Sequence, residues 1–348
     1  MPAFAESAAE PPLADSYYAL LRRDTKLDAC ATTAPPPGCQ PVSECQLPMI
    51  DVGCLTSTGA SPEERAACTA EIAAAAEEWG FFQVTNHGVG QELLDAMRRE
   101  QARLFRLPFE AKATAGLLND SYRWGTPTAT SSKQLSWSEA FHVPLAGISG
   151  DRCGYGELTN IRDVTQEVAN AMSKLANALA RVLAENLGHT AAGGEQFPAG
   201  CDERTCFLRL NRYPPCPFSP DAFGLVPHTD SDFFTVLCQD QVGGLQLMKG
   251  SRWVAVKPIP GALIVNIGDL FQAWSNNRYK SVEHKVVTNA TTERYSVAYF
   301  LCPSYDSPIG ACEEPSPYRT FTFGEYRRRV QEDVKKTGKK IGLPNFLM

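Results

Sequence analysis

The chain has 348 residues and a net charge of −6, with 43% hydrophobic and 21% charged residues. This composition is typical of a soluble globular enzyme, and the length permits either one large domain or two. Because lysine and arginine are scattered rather than clustered, we expect neither nucleic acid nor an acidic membrane as a partner. No apolar run approaches the roughly 18 residues that a transmembrane helix needs.

The N-terminal residues and the cysteines together predict a cytoplasmic protein. Residues Met1 to Pro12 are acidic and rich in alanine and proline, and they lack the basic and apolar regions of a secretory signal peptide. The twelve cysteines are spread from Cys30 to Cys312 without a Cys-x-x-Cys pair. We therefore expect reduced thiols, most of them buried.

The first 200 residues are predicted to be mainly helical. Residues 1–46 form a loosely ordered segment with a possible short helix, Leu13 to Arg23, and a proline-rich linker, Thr32 to Pro41. In residues 47–200, apolar or aromatic runs indicate strands at Leu47 to Val52 and Phe81 to Asn86. Helical periodicity and start signals predict helices from Ser61 to a stop at Gly80, from Gln91 to Leu107, and from about Ile161 to Leu187.

The pattern changes after Gly188. From Cys206 to Pro303, short β-rich runs are separated by Gly, Pro, Asn and Asp, which indicates an all-β sandwich or barrel. Residues 311–348 return to a charged helix, Thr322 to Lys340. We therefore predict an α+β fold in which the α-rich residues 47–200 pack around a jelly-roll core, a double-stranded β-helix of residues 201–310.

A possible metal site lies in the β-rich region. His228 and Asp230 are two residues apart, so in a strand both side chains would point to the same side. His284 follows 54 residues after Asp230 and would have to come from a strand folded alongside. Two imidazoles and a carboxylate form the facial ligand set of non-haem Fe(II), which leaves coordination positions open. The alternative is a core or capping histidine beside a turn aspartate.

A second pattern, Arg294-Tyr295-Ser296, comes ten residues after His284. Arg294 and Ser296 share one face of the predicted strand. A buried arginine needs an anionic partner, because burying its charge unpaired is costly, and a carboxylate matches its planar fork. A structural Asp or Glu would serve, but beside a metal triad a small dicarboxylate co-substrate explains the arrangement better. Ser296 would add a second hydrogen bond to it.

These patterns belong to a longer series of motifs that resembles the plant 2-oxoglutarate and Fe(II)-dependent dioxygenases. In the N-terminal region, Pro48-Met49-Ile50-Asp51 and the run from Trp79 to Gly88 are similar to that family, and the resemblance spans about residues 47 to 310. The motifs of the β-rich region follow in the family's order: Asn211-Arg212-Tyr213-Pro214-Pro215-Cys216, His228-Thr229-Asp230, Gly243-Gly244-Leu245-Gln246, Asn266-Ile267-Gly268-Asp269, His284 and Arg294-Tyr295-Ser296.

The resemblance implies a dioxygenase whose cofactor is Fe(II) and whose co-substrates are 2-oxoglutarate and dioxygen. By this likeness the iron ligands are His228, Asp230 and His284. The residues implied for 2-oxoglutarate are Arg294 and Ser296 at its distal carboxylate, with Tyr213 and Asn211 also in contact. The other histidines, His87 in a turn, His142 and His189, are expected to be structural or exposed.

A finer resemblance concerns the substrate. Ser121 to Gly125 and Leu135 to His142 are similar to the gibberellin 2-oxidases that act on C20 gibberellins, which implies 2β-hydroxylation of a small-molecule gibberellin. Such a rigid apolar polycycle with carboxylates suits an aromatic wall with a cation, and Tyr122, Arg123 and Trp124 offer one. The alternative is that the aromatic pair packs in the core and the arginine is a surface charge. Another apolar plant metabolite, or a non-catalytic ligand sensor, are the competing functions.

Overall fold

The computed structural model describes residues 9–28, 42–57, 59–114, 118, 120–127, 129–148, 158–189, 201, 204–219 and 222–348. Its helices are α1 Leu13–Asp28, α2 Gly53–Thr56, α3 Pro62–Glu78, α4 Gln91–Phe105, α5 Phe109–Ala113, α6 Leu145–Ile148, α7 Thr159–Asn186, α8 Asp269–Trp274 and α9 Phe323–Thr337, with 3-10 turns at Ser132–Gln134 and Leu343–Phe346. No helix within these ranges is long and apolar enough to cross a membrane.

The strands form two main sheets and a small hairpin. The larger sheet has the order β2-β3-β11-β8-β13-β6-β5-β4, the smaller one β1-β10-β9-β12-β7, and β14 pairs with β15. Their bounds are β1 Glu44–Cys45, β2 Met49–Asp51, β3 Phe81–Thr85, β4 Tyr122–Trp124, β5 Glu139–Pro144, β6 Phe207–Tyr213, β7 Phe223–His228, β8 Phe234–Gln239, β9 Leu245–Lys249, β10 Arg252–Val256, β11 Leu263–Ile267, β12 His284–Val287, β13 Arg294–Leu301, β14 Pro308–Ile309 and β15 Phe321–Thr322.

Strands β6 to β13 form the predicted jelly roll. Four of them, β11-β8-β13-β6, lie side by side in the larger sheet, and the other four, β10-β9-β12-β7, lie in the smaller sheet. The two sheets face each other, because Ile264 and Tyr213 of the larger sheet share a buried cluster with Leu247 and Val286 of the smaller one. The prediction of an α+β fold with a double-stranded β-helix core is therefore confirmed.

Helices cover the opposite face of the larger sheet. Met97 of α4 and Met172 of α7 are buried in one cluster with Val236 of β8 and Val297 of β13. Each such side chain contributes about 1.5–3 kcal/mol when it is fully buried. The smaller sheet and the helices thus enclose the larger sheet from both sides, and the site described below lies on its inner face.

Helix boundaries follow the start and stop signals in the sequence. Ser61 caps α3 by accepting a hydrogen bond from the backbone N–H of Glu64, whose side chain in turn accepts one from the backbone N–H of Ser61. Gly80 ends this segment at φ 64°, where a Cβ would lie 2.1 Å from the carbonyl oxygen of Lys280. Near the other end of the chain, the Thr322 side chain caps α9 by accepting a hydrogen bond from the backbone N–H of Glu325.

Two strands in the region from Ser121 to Pro144 were not predicted. Strands β4 and β5 extend the larger sheet beyond β6, so strands from both residues 47–200 and residues 201–310 belong to one sheet. The burial of both faces of β5 explains the lack of an alternating pattern, since a strand covered on two sides does not alternate. The predicted linker Thr32 to Pro41 lies outside the described residues, and the N-terminal helix extends further than expected, to Asp28.

Candidate active site

The two histidines and the aspartate of the predicted metal site lie together. His228 ends β7 and is paired directly with His284 on β12, while Asp230 follows two residues after His228. The Nε2 atoms of His228 and His284 lie 3.6 Å and 3.8 Å from Oδ1 of Asp230. All three ligand atoms are within 4.8 Å of one another, so the trio could hold one metal ion.

Backbone carbonyls orient both imidazoles. Nδ1 of His228 lies 2.8 Å from the carbonyl oxygen of Val226, and Nδ1 of His284 lies 3.1 Å from that of Val282. A carbonyl oxygen can only accept, so each Nδ1 carries the hydrogen and each Nε2 keeps a free lone pair. Ring nitrogens that bind metals are usually fixed by such contacts on the far side of the ring.

The Asp230 carboxylate is held in a similar way. Its Oδ2 accepts hydrogen bonds from Oγ1 of Thr235 at 2.6 Å and from Nδ2 of Asn266 at 2.7 Å. Oδ1 is thereby left to face His228 and His284. Thr235 lies on β8 and Asn266 on β11, so the larger sheet orients a carboxylate whose two imidazole partners come from the smaller sheet.

Protonation states suit a divalent cation. Burial, together with the neighbouring His284, lowers the pKa of His228 to about 3, so this imidazole is neutral near pH 7. Burial opposes ionisation of Asp230, but the adjacent imidazoles and its hydrogen bonds outweigh it and keep the pKa at about 2. Burial and the charge of Asp230 raise the pKa of the nearby Asp232 well above its usual value. One carboxylate charge therefore faces the imidazole nitrogens.

The four residues predicted to bind 2-oxoglutarate form two neighbouring cross-strand pairs. Arg294 of β13 is opposite Tyr213 of β6, and Ser296 is opposite Asn211. The Arg294 guanidinium lies 4.9 Å from the centre of the Tyr213 ring, and Nδ2 of Asn211 is 3.3 Å from Oγ of Ser296. The structure thus brings together every residue that the sequence assigned to this co-substrate.

Arg294 carries hydrogen-bond donors that lack a partner within the described residues. It is 3% exposed, and its Nη2 donates to Oε1 of Gln239 at 2.7 Å. Its Nε and Nη1 atoms are buried and have no hydrogen-bond partner, and no described carboxylate forms an ion pair with this arginine. The described residues therefore do not form the structural salt bridge that was the alternative, and because an uncompensated buried cation is costly, these donors suit an anion.

Two supporting residues behind this pocket were missed in the sequence. Gln101 of α4 is 1% exposed, and its Nε2 donates to the carbonyl oxygens of both Asn211 and Ser296, at 3.0 Å and 2.9 Å. On the other side, Gly224 of β7 makes room for the Tyr213 ring, since a Cβ there would lie 2.8 Å from its Cδ1. Both contacts link segments more than ten residues apart, so no local sequence pattern predicts them.

The three residues predicted to contact the substrate lie on different faces of the larger sheet. Tyr122 pairs with the buried Phe141, and its hydroxyl donates to Glu139 at 2.5 Å. Trp124 packs edge-on against Phe109 of α5. For these two aromatic residues the core-packing alternative describes what the structure shows, because they lie on the helix-covered face. Arg123 lies between them on β4 and therefore points to the other face of the sheet.

Arg123 is exposed, as the surface-charge alternative expects, and its position in the sheet keeps it a candidate for substrate contact. It is opposite Ala140 of β5, which is in turn opposite Asn211 of β6. Because cross-strand partners share a face of a sheet, Arg123 lies on the inner face together with Asn211. Its Nη1 donates to the carbonyl oxygens of Asp120 and Tyr122.

The remaining histidines lie outside the metal trio, as expected. His87 is 7% exposed; its Nδ1 accepts from the N–H of Val89 in its own turn, and its Nε2 lies 2.9 Å from the carbonyl oxygen of the distant Gly261. His189 makes an edge contact with the Trp274 ring. His142 lies in β5 and is half-buried.

A network around Asp269 fixes the loop that carries Asp230. Asp269 donates its backbone N–H to the carbonyl oxygen of Asp230 at 3.0 Å. Its carboxylate accepts from the hydroxyls of Thr229 and Tyr326 and forms an ion pair with Lys340 at 2.8 Å. Lys340 also donates to the carbonyl oxygen of Thr229. Helix α9 and the residues after it therefore support the metal loop.

Comparison with known proteins assigns the family. A family model described as the 2OG-Fe(II) oxygenase superfamily matches residues 204–303. A second, described as the N-terminal region of the non-haem dioxygenase in morphine synthesis, matches residues 47–160. The chain is also 68% identical to gibberellin 2-beta-dioxygenase 6 of Oryza sativa subsp. japonica, over 99% of this chain and 98% of that protein. The chain belongs to the 2OG-Fe(II) oxygenase superfamily.

Other members of this superfamily are similar in sequence and in structure. Gibberellin 2-beta-dioxygenase 8 of Arabidopsis thaliana is 54% identical over 88% of each chain. Among solved structures, JOX2 in complex with 2OG, Fe and JA superposes with a TM-score of 0.67 at 32% identity, covering 93% of this chain and 94% of that one. The structure of the dioxygenase for auxin oxidation in rice superposes with a TM-score of 0.69 at 31% identity, covering 87% of this chain and 100% of that one.

As a 2OG-Fe(II) oxygenase, the protein is a dioxygenase that uses Fe(II), 2-oxoglutarate and dioxygen. The residues present fit these groups. Two imidazole nitrogens and one carboxylate oxygen are the donor set that Fe(II) takes with open positions, and the larger sheet presents unpaired guanidinium hydrogens to an anion. A site with three ligands rather than four is typical of catalytic instead of structural metal binding.

Proposed function

We propose that this 2OG-Fe(II) oxygenase is a gibberellin 2-beta-dioxygenase that hydroxylates, and thereby inactivates, C20 gibberellins. The proposal is carried by the order of sequence identity among the relatives. Identity is 68%, 54%, 49% and 42% to four gibberellin 2-beta-dioxygenases. It is lower, 38% and 37%, to jasmonate-induced oxygenases 2 and 1 of Arabidopsis thaliana and 35% to gibberellin 20 oxidase 1 of rice.

In this proposal the metal trio holds Fe(II). His228 and His284 supply Nε2 lone pairs and Asp230 supplies Oδ1, while Thr235 and Asn266 keep the carboxylate from rotating. When bound, Fe(II) with 2-oxoglutarate and dioxygen supplies the oxidation that converts a C–H bond into C–OH and releases succinate and carbon dioxide. The chain's own task is to position the substrate and to keep water away from this centre.

The opposite sheet binds the co-substrate. Arg294 directs its unpaired Nε and Nη1 donors at a carboxylate of 2-oxoglutarate, and Ser296 adds its hydroxyl. Tyr213 lies under the guanidinium and Asn211 holds the serine hydroxyl. Because Gln239 already occupies Nη2 of Arg294, the orientation of the guanidinium is fixed before the ligand arrives, which lowers the entropy lost on binding.

Succinate release separates an enzyme from a ligand-binding sensor. We expect the purified protein with Fe(II), 2-oxoglutarate and a gibberellin to form succinate, and H228A or D230A to abolish this reaction. H189A is a matched control, because His189 is half-buried against Trp274 and lies outside the metal trio. Substrate-dependent turnover at the wild-type rate in H228A would contradict the metal assignment.

A substrate panel tests the gibberellin assignment. Incubation with C19 gibberellins, C20 gibberellins and a flavonoid, followed by mass spectrometry, should give mainly 2-hydroxylated C20 products. Exclusive turnover of C19 forms would contradict the C20 preference, and turnover of the flavonoid alone would favour the competing plant-metabolite function. The cytoplasmic location predicted from the sequence stays a prediction, which subcellular fractionation tests.

A further inference from the structure

His142, on the inner face of the larger sheet, is the cross-strand partner of Arg209 and also lies within the field of Arg123 and Arg327. His142 of β5 is half-buried, and burial together with the charges of Arg209, Arg327 and Arg123 lowers its pKa to about 4. The imidazole is therefore neutral near pH 7 and adds no positive charge of its own. The three guanidiniums come from β6, α9 and β4, elements far apart in the sequence.

Arg209 lies next to the residues of the co-substrate pocket. It is two residues before Asn211 on β6, and its Nε donates to Oδ1 of Asn211 at 2.8 Å. Its cross-strand partners are His142 on one side and Ala298 on the other. Alternation along the strand thus places Arg209 on the same inner face as Asn211. Its charge also interacts with that of Asp230 in the metal trio.

None of the three arginines forms an ion pair with a carboxylate of the described residues. Arg209 has its bond to Asn211, and Arg123 donates only to backbone carbonyl oxygens. Arg327 donates to the hydroxyl of Tyr305 at 2.6 Å and stacks on that ring. By contrast, Arg212 in the same sheet forms ion pairs with the carboxylates of Glu139 and Glu293. Three arginines without an ion pair among the described residues, near one neutral histidine, are suited to an anionic ligand.

The surroundings of Arg209 are small or aromatic. Ala298 is its partner on β13, and Ala140 lies opposite the neighbouring Asn211. Small side chains leave space in front of the sheet. Next along the inner face, Phe207 stacks on Phe300 with ring centres 4.4 Å apart. An apolar ring system that carries a carboxylate would contact this aromatic pair and a cation at once.

We propose that Arg209 binds a carboxylate of the substrate beside the metal centre, with Arg123 and Arg327 completing a cationic rim. This assignment rests on the proposed function, since it takes the substrate to be a gibberellin acid. It changes the predicted substrate contacts in two ways: the new residue Arg209 takes the principal role, and of the original aromatic and cationic trio only Arg123 is kept.

The test compares a gibberellin with its fully methylated ester in wild type, R209M and R209K. We expect the wild type to prefer the free acid and R209M to lose about 30-fold in kcat/KM for the acid, the size of one charge-assisted hydrogen bond. For the ester R209M should stay within about threefold of wild type, and R209K should recover part of the acid activity. The exposed Arg252 of β10 provides the control variant R252M, which should behave as wild type.

A structural role for Arg209 gives a different pattern. Equal losses for acid and ester in R209M, or a raised KM for 2-oxoglutarate in substrate-free succinate formation, would overturn the assignment. So would a wild type that is indifferent to esterification. If the wild type turned over no gibberellin at all, the proposed function would fail. Calorimetric binding of the acid to wild type and R209M would then decide the role of Arg209, and equal affinities would overturn it. R209K serves the same comparisons if R209M does not fold.

Discussion

Two buried arginines on neighbouring strands of the larger sheet differ in how their charges are compensated. Arg212 on β6 forms ion pairs with Glu139 at 2.7 Å, Glu293 at 2.9 Å and Glu10 at 3.3 Å. Arg294 on β13 forms none with the described residues and has only an amide partner. The first arrangement is complete by itself. The second leaves guanidinium donors free for an anion that the described residues do not supply.

The environment of Arg212 is a closed charge network. Lys112 and Glu139 have fully buried side chains, and Nζ of Lys112 lies 2.5 Å from Oε2 of Glu139. The Tyr122 hydroxyl donates to the same oxygen, and Lys112 also donates to the carbonyl oxygen of Phe105. Each charged atom therefore has a protein partner, and the network joins α5 to the edge of the larger sheet on its helix-covered face.

The largest effect is expected from R294M. Removing a partner of a desolvated charged contact costs about 2–5 kcal/mol, so kcat/KM for 2-oxoglutarate should fall by about 30-fold to a few thousand-fold. The free energy of unfolding without ligand should stay equal or rise slightly, because an unpaired buried cation is lost. Kinetics at varied 2-oxoglutarate and urea denaturation measure the two quantities. A large loss of stability with normal kinetics would make Arg294 another structural arginine.

R212M should give the reverse result. The Glu139 carboxylate, 1% exposed, would keep only Lys112 as a cation, and breaking such a buried pair costs about 3–5 kcal/mol in the free energy of unfolding. The KM for 2-oxoglutarate should change little in protein that remains folded, measured at low temperature. If R212M raised that KM as much as R294M, the two arginines would not differ in the way proposed.

A smaller effect, on the pH dependence of the free energy of unfolding, is expected from H142F. His142 lies beside Arg209, which like Arg294 forms no ion pair with the described residues. The pKa of His142 is about 4 in the folded protein against 6.5 as its ordinary value, so the unfolded chain binds the proton first as pH falls. The contribution of neutral His142 to the free energy of unfolding is therefore fully present above about pH 6.5 and is lost as the pH falls towards 4. Between pH 7 and pH 5 wild type should lose up to about 2 kcal/mol more than H142F. Parallel losses in urea denaturation would contradict this.

The smallest effect belongs to Y122F, which removes one hydroxyl from the network around Arg212. We expect a loss of about 1 kcal/mol in the free energy of unfolding, the usual contribution of one such hydrogen bond. The KM for the gibberellin should not change, because the ring stays packed against Phe141. Steady-state kinetics check this, and a large rise in that KM would return Tyr122 to the substrate pocket.

Local patterns in the sequence carried much of the fold and the metal trio. The His228-x-Asp230 spacing reflects strand alternation, and the Ser61 cap with Glu64 marks a helix start within four residues. His284 could be grouped with His228 and Asp230 only by assuming that its strand folds alongside, because its pairing with His228 spans 56 residues. Sequence periodicity predicts which face of a strand a side chain lies on, but it does not predict which strand will pair with it.

The errors and omissions share this cause. Tyr122 and Arg123 are adjacent in a polar, aromatic stretch, yet strand alternation sends one to the helix-covered face and the other to the inner face. The sequence did not predict that β4 and β5 extend the sheet, so it could not assign the two side chains to different faces. Gln101 was missed for the same reason, since its contact with Asn211 comes from helix α4, 110 residues away.

The support of the metal loop from helix α9 has a consequence for biosynthesis. Lys340 donates to the carbonyl oxygen of Thr229 across 111 residues of sequence, and Tyr326 contacts the same network through Asp269. Ribosomal synthesis runs from the N-terminus, so His228 and Asp230 leave the exit tunnel well before Lys340 does. The contact of Lys340 with this loop can therefore form only after the strands that carry the metal trio have been synthesised.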